Sequence, residues 1–206
     1  LMYPLKQEKR MNEIQEKRVR DYFITAAKDL IRGEGLIVVS ARTVAERAGY
    51  SYATLYNYFK DIRDLIFCCV EDFLEECRGF VTDYAKNAKK GEEHLKAVSC
   101  GYCNFFIQYP GIYELLFHQK ASSISTANSK FEMIAGFFNG LTIDDWQSIG
   151  DCSGSGVEGV VIKKQKFHSL AVHGLLLLYL NNRDISDYSS IIHTVKELTD
   201  SAVEFH

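Results

Sequence analysis

Apolar residues recur at spacings of three and four along most of this chain, the repeat that lines one face of an α-helix. Only 2 of the 206 residues are proline, against 13 phenylalanines and 12 tyrosines. Because proline breaks helices, its scarcity leaves long stretches free to stay helical, and the aromatic side chains supply a large core. The sequence therefore predicts an all-α fold, and its 47% of hydrophobic residues favours a globular protein over a disordered one.

Capping residues and glycines mark the ends of the predicted helices. Ser40, Ser51 and Asp61 are good N-caps, while Gly33 and Gly35 favour the end of the first helix and Gly49 the end of the second. Serine-rich and glycine-rich stretches at 122–125 and 151–156 are typical of loops. The predicted helices are 12–32, a short one after Ser40, 52–59, 61–87, one from Gly91 to about Phe106, 112–118, 131–138, 157–180 and 185–205.

The chain shows no sign of a membrane or secretory segment. Its longest apolar run, Leu170–Leu180, is shorter than the roughly 20 residues needed to span a bilayer, and His173 and Gly174 interrupt it. The N-terminus has no apolar core of the kind a signal peptide requires. We expect a cytoplasmic protein with no membrane partner.

The six cysteines fit a reducing compartment, where most thiols behave as small apolar groups. Cys100 and Cys103 form a CxxC inside a helical stretch, without the helix N-terminus of a redox motif or the second ligand pair of a zinc site. His168 and His173 are five residues apart and so lie on different helix faces. We expect no metal and no cofactor.

Two short predicted helices joined by Gly49-Tyr50-Ser51 have the dimensions of a helix-turn-helix. Residues 1–60 carry eleven basic and seven acidic side chains, a net charge of +4, which leaves −7 for the remainder. A basic N-terminal segment followed by an acidic remainder suits a protein that contacts nucleic-acid phosphates through its N-terminal segment only.

Residues 43–60, TVAERAGYSYATLYNYFK, resemble the DNA-binding signature of the TetR family of transcriptional regulators. A weaker likeness lies in YPGIYELLF at residues 109–117, which is similar to a segment between two helices of that family's regulatory domain. Tyr50 departs from the small aliphatic residue usual in the turn, and Ala53 stands where glycine is commonest. The matching positions are Ala45, Ala48, Gly49, Ser51, Thr54, Leu55, Tyr56, Tyr58 and Phe59.

The resemblance implies a three-helix DNA-binding domain at 1–60, followed at 61–206 by a helical bundle that binds a ligand and dimerises. We expect Leu55 and Phe59 to point inward and a short polar face to enter the major groove of operator DNA. Asn57 suits adenine, while Ala53 and the Thr54 methyl suit a thymine methyl. The candidate DNA-binding residues are Arg42, Thr43, Ser51, Tyr52, Ala53, Thr54, Tyr56, Asn57, Tyr58 and Lys60.

Arg42, Thr43, Tyr56, Tyr58 and Lys60 suit phosphates, together with the N-terminus of the fourth helix. The alternative that Tyr56 and Tyr58 only pack inside the domain stays open.

In the regulatory part, the resemblance implies a homodimer through the last two helices, and the run 175–180, apolar all round, must be buried on more than one side. It also implies a small hydrophobic or amphipathic effector, bound between the fourth, fifth, seventh and eighth helices. Each candidate could equally be an ordinary core or surface residue. The candidates are Tyr84, Ser99, Tyr102, Phe106, Phe138, Trp146, Gln165 and Ser169.

Three classes of function follow from these patterns. The first is a repressor released from a palindromic operator by its effector. The second keeps the fold and is an activator or is controlled by a protein partner. The third is an enzyme, for which the sequence has no phosphate loop, HExxH, nucleophile elbow or dinucleotide fingerprint. We therefore expect no enzymatic activity.

Overall fold

The computed structural model describes residues 4–118, 128–150, 157–181 and 187–204, and within these ranges every regular element is helical. A 3₁₀ turn covers Leu36–Val38, and a π-helical turn covers Glu114–His118. The α-helices are α1 Pro4–Glu34, α2 Ala41–Ala48, α3 Tyr52–Leu55, α4 Ile62–Ala85, α5 Glu92–Gln108, α6 Pro110–Tyr113, α7 Asn128–Ile149, α8 Val157–Leu180 and α9 Tyr188–Glu204. The predicted all-α class is confirmed.

The described residues fall into two compact units. The N-terminal unit takes those within Leu1–Phe73 and Gly111–Ser125, and the C-terminal unit takes those within Leu74–Pro110 and Thr126–His206. Helix α4 begins one residue after Asp61, whose Oδ1 accepts the backbone N–H of Asp64 at 2.9 Å as an N-cap. A domain boundary at residue 60 stays a prediction.

The N-terminal unit has a core built from α1, α2, α3 and the first part of α4. Its largest fully buried side chains include Phe23 on α1 and Leu55 on α3. On one side of this core, the Lys28 ammonium lies 2.8 Å from the Asp72 carboxylate. The core holds α2 and α3 against the middle of α1.

The C-terminal unit is organised around α5, which packs against α7, α8 and α9. Between Val98 and Phe106 every residue of α5 is buried. Asp145 of α7, only 2% exposed, accepts the N–H of Gly91 at 3.1 Å and lies 2.7 Å from Nδ1 of His94. These two contacts hold the start of α5 against α7.

Three predicted helix lengths are wrong. Helix α1 begins eight residues earlier than predicted, because the sequence PLKQEKRM at 4–11 has no apolar repeat that would indicate a helix, although its long polar residues form helix well. It also continues through Gly33 and ends directly before Gly35, the second of the two glycines expected to close it. Helix α3 is shorter than predicted, since a turn follows Leu55.

Helix α7 covers 22 residues rather than the eight predicted at 131–138. Two of its inward positions are the polar Thr142 and Asp145, 0% and 2% exposed, which interrupt the apolar pattern. The helices predicted at 157–180 and 185–205 correspond to α8 and α9. The predicted loops at 122–125 and 151–156 lie outside the described residues.

None of the described helices combines the length and apolarity that crossing a membrane requires.

Candidate functional site

A three-residue turn fixes the angle between α2 and α3. Gly49 has a φ of +78°, a left-handed conformation that favours glycine, and the next N–H, of Tyr50, donates to the Ala45 carbonyl at 2.9 Å. Oγ of Ser51 then accepts the N–H of Thr54 at 3.1 Å and caps α3. The predicted caps and the closing glycine are confirmed, and the pair is a helix-turn-helix.

Tyr50 occupies the turn without disturbing it. Its ring packs at 5.4 Å from that of Phe23 in the core and at 6.3 Å from that of Tyr22, measured between centroids. Both neighbours lie on α1, so the bulky residue in the turn braces the helix-turn-helix against the first helix.

The outer surface of α3 and of the turn after it faces solvent. Leu55 and Phe59 point inward, 0% and 2% exposed, as predicted. Tyr52 is 63% exposed and Tyr56 51% exposed, and no described side chain covers the surface they share. We name this surface the recognition face; its exposed side chains are Tyr52, Ala53, Tyr56 and Asn57.

Three of the candidate hydroxyls serve as caps in the structure. Thr43 donates to the Val38 carbonyl at 2.7 Å and forms a capping box with Ser40. The hydroxyls of Ser51 and Thr54 lie 2.9 Å apart. Their hydrogen bonds orient the two helices, so the first task of these three side chains is to hold the recognition face in place.

The charged candidates lie at the edges of the recognition face. Arg42 and Lys60 are exposed, whereas Tyr58 is half-buried with its ring 6.1 Å from that of Phe23. The N–H of Lys60 donates to Oδ2 of Asp64 at 3.1 Å. Since carboxylates already occupy the first turn of α4, the Lys60 ammonium is the better phosphate ligand there.

The ligand candidates fall into two groups. Tyr84 on α4 is 46% exposed, and Gln165 on α8 is half-buried, with its Nε2 donating to the Asn139 carbonyl at 2.9 Å. The other six are buried, and the Tyr102 ring lies 4.6 Å from that of Phe138 and 4.8 Å from that of Phe106. These six are Ser99, Tyr102, Phe106, Phe138, Trp146 and Ser169.

The structure adds two histidines of α8, His168 and His173, that were not among the ligand candidates. Nε2 of His168 lies 3.3 Å from Oγ of Ser99 and 3.1 Å from Oγ1 of Thr199, and the residue is fully buried. Nε2 of His173 lies 3.0 Å from the Tyr102 hydroxyl. Polar residues at inward positions of the largely apolar helix α8 were the only signal in the sequence.

Burial makes both imidazoles neutral at pH 7. It lowers the pKa of His168 to about 4, with a further contribution from His173, and it lowers the pKa of His173 as well. His168 and His173 are five residues apart and were expected on different helix faces. Both rings nevertheless lie within 6 Å of the Phe138 ring, at 5.5 and 5.8 Å between centroids.

The CxxC pair lies inside α5, where both cysteines are buried. Burial raises the pKa of the Cys100 thiol and raises that of Cys103 well above its ordinary value. Such thiols are poor nucleophiles. Among the described residues, no group of three or more histidine, cysteine, aspartate or glutamate side chains is placed to hold a metal ion.

Comparison with known proteins identifies the N-terminal segment. Residues 23–67 match the family model of the bacterial regulatory proteins of the tetR family. This match spans the C-terminal part of α1, the whole helix-turn-helix and the start of α4. No curated protein matches the chain.

Solved structures share the fold over nearly the whole chain. A TetR family transcription regulator from Marinobacter aquaeolei VT8 has a TM-score of 0.62 at 17% identity, covering 92% of this chain and 97% of its own. A TetR transcriptional regulator from Rhodococcus sp. RHA1 has 0.61 at 16%, covering 92% and 98%. The superantigen PfiT has 0.60 at 14%, covering 90% and 94%.

Proposed function

This chain has the N-terminal domain of the TetR family of bacterial regulatory proteins, and on that premise we propose that it is a cytoplasmic transcriptional repressor without enzymatic activity. In this proposal residues 1–60 bind a palindromic operator and residues 61–206 dimerise and bind a small hydrophobic or amphipathic effector. The observation that carries the proposal is the recognition face, an exposed polar surface on a capped helix-turn-helix. Such a surface can enter the major groove.

The side chains of the recognition face suit two kinds of contact. Asn57 offers a planar amide that can bind adenine through two hydrogen bonds, while Ala53 and the Thr54 methyl can touch a thymine methyl. Tyr52 and Tyr56 offer exposed hydroxyls beside them. At the edges, Arg42, Thr43, Tyr56, Tyr58 and Lys60 suit the phosphate backbone, contact with which positions the helix without reading the sequence.

An apolar face on α8 supports dimerisation. Leu170 is 65% exposed in the single chain and Phe167 is 48% exposed. A Cβ added at Gly174, on the same side of the helix, would meet no atom within 4 Å. Large apolar side chains in a row beside open space suit burial against a second copy, with α9 alongside. The further members of this face are Val160, Leu177 and Leu178.

Repression would then be released by a shift between two states. An effector that binds one state of the dimer more tightly favours that state. If the favoured state separates the two recognition faces by a distance other than one turn of DNA, the operator is released.

Selection of binding sites from random DNA with the full chain tests the proposal. We expect a palindrome, and we expect Asn57→Ala to weaken binding to it by about 1–3 kcal/mol, because a bidentate base contact is lost, while binding to random DNA stays nearly unchanged. Lys60→Ala should instead weaken binding to both DNAs, since it removes a phosphate contact. Fluorescence anisotropy at fixed salt measures both affinities.

The matched control is Asn87→Ala, an exposed asparagine beyond α4, which should leave both affinities unchanged. No enriched sequence would contradict the proposed function. Equal losses by Asn57→Ala on operator and random DNA would show that Asn57 is not a base reader.

A further inference from the structure

The core of the C-terminal unit contains hydrogen-bonding atoms that no described residue satisfies. Nδ1 of His168 and Nε1 of Trp146 are both buried and have no partner among the described residues. The two side chains are 0% and 1% exposed, and their ring centroids are 5.7 Å apart. An unsatisfied buried polar atom costs about 1–3 kcal/mol, so two of them side by side require a reason.

The hydroxyls around His168 fix which of its nitrogens carries the proton. Oγ of Ser99 donates to the Leu95 carbonyl at 2.7 Å, and Oγ1 of Thr199 donates to the Val195 carbonyl at 2.8 Å. Each hydroxyl has one hydrogen, and the carbonyls are nearer than Nε2 of His168, which lies at 3.3 and 3.1 Å, so we assign both hydrogens to the carbonyls and both oxygens as acceptors from Nε2. Since the neutral ring has a single N–H, which is then on Nε2, its Nδ1 carries no hydrogen and can only accept a hydrogen bond.

Trp146 supplies the opposite group. Its indole Nε1–H can only donate, so two rings with centroids 5.7 Å apart present one acceptor and one donor. A hydrogen bond spans about 3 Å, and one small group can therefore bond to both. That group must itself carry a donor and an acceptor.

The residues around His168 and Trp146 restrict which small molecule could bond to both rings. The Phe138 ring lies 5.5 Å from that of His168, so the walls are aromatic. Two charged groups on the helices that carry Trp146 and His168 are already engaged. Asp145 is held by His94 and the Gly91 N–H, and the Lys164 ammonium donates to the Val203 carbonyl at 2.8 Å. An ion placed between these walls would have no counter-charge to offset its desolvation.

We propose that Trp146 and His168 form a buried binding site for an uncharged planar molecule that carries a hydrogen-bond donor next to an acceptor, as an aromatic carboxamide does. The inference rests on the proposed function, in which this molecule is the effector. It names two contact residues, of which His168 was not among the sequence candidates.

Four isosteric probes test the site: benzamide, acetophenone, benzoate and benzamidine. Trp146 is the only tryptophan of the chain, so its indole N–H gives one unambiguous NMR cross-peak. We expect benzamide to shift that peak with a dissociation constant of about 1 mM, typical of a molecule of this size. Acetophenone lacks the donor and should bind about tenfold more weakly. The two ions should not shift the peak at all.

His168→Gln removes the acceptor while keeping a donor close to the position of Nε2, so the bonds to Ser99 and Thr199 can persist. We expect this variant to melt cooperatively and to bind benzamide no better than acetophenone. The matched control is His193→Gln, an exposed histidine on α9, which should behave as the wild type. A benzamide shift retained by folded His168→Gln would overturn the proposal.

Absence of any benzamide shift in the wild type would also overturn it, since a buried water would then be the partner of both atoms. These titrations contain no DNA. If benzamide shifts the peak but the chain binds no operator, the proposed function is wrong and the binding site stands. If the chain binds an operator but benzamide causes no shift, the binding site is wrong and the proposed function stands.

Discussion

At the scale of single residues, His168 couples the stability of the C-terminal unit to pH. The unfolded chain binds a proton on this imidazole below about pH 6.5, whereas the folded chain resists doing so until about pH 4. Between these values the unfolded state holds more protons, so stability falls as the pH falls. We expect the free energy of unfolding in urea to drop by about 2 kcal/mol between about pH 7 and pH 5 from this group.

His168→Gln is the control for this prediction, because glutamine does not titrate. Carboxylates lose charge in both proteins over the same range, and the difference between the two curves isolates the histidine. Parallel curves for wild type and variant would contradict the assignment of the pKa shift to His168.

At the scale of the elements, Gly111 allows α6 to pack directly against α1. A Cβ at this position would overlap the carbonyl oxygen of Ile31, and the Gly35 Cα lies 3.5 Å from it. Backbone atoms cannot move aside as a flexible side chain can, so we expect Gly111→Ala to lower stability by about 2 kcal/mol or more. Thermal and urea unfolding measure the loss.

Gly79→Ala is the matched control, on an exposed part of α4 where a Cβ would meet nothing within 4 Å. It should raise stability by about 0.5–1 kcal/mol, because alanine favours the helix. If Gly111→Ala is as stable as Gly79→Ala, the close approach of α6 to α1 is not present in solution.

The same elements show what a sequence can predict. Helix ends that depend on local chemistry, at Ser40, Gly49 and Ser51, were predictable, because a cap bonds within its own turn. The start of α1 and the length of α7 were not predictable in this way. The sequence of the first turns of α1 shows no apolar repeat. In α7 the inward residues Thr142 and Asp145 are polar and form hydrogen bonds, so a search for a repeat of apolar residues does not detect this part of the helix.

At the scale of the whole molecule, the recognition face was predictable because it lies within one short segment with a dense motif. The buried polar site around His168 and Trp146 was only partly predictable. Ser99, Trp146 and Ser169 were candidates, but the group that joins the helices is His168, whose partners lie 69 and 31 residues away in the chain. Pairings between distant helices depend on packing, and a single sequence does not contain that information.

The last prediction concerns dimerisation through α8 and its effect on operator binding. Leu170→Glu places a carboxylate on the apolar face of α8, at a residue 65% exposed in the single chain, so the monomer should still fold. We expect sedimentation to change from dimer to monomer at micromolar concentration, because burial of the charge against a second copy is unfavourable.

Loss of the second recognition face should weaken binding to the palindrome about 100-fold or more, while binding to a single half-site stays unchanged. Ile143→Glu, an aliphatic residue 45% exposed on α7, is the matched control and should remain dimeric. If Leu170→Glu stays dimeric with full operator affinity, the two copies associate through another surface, and α8 needs a different partner for its apolar face.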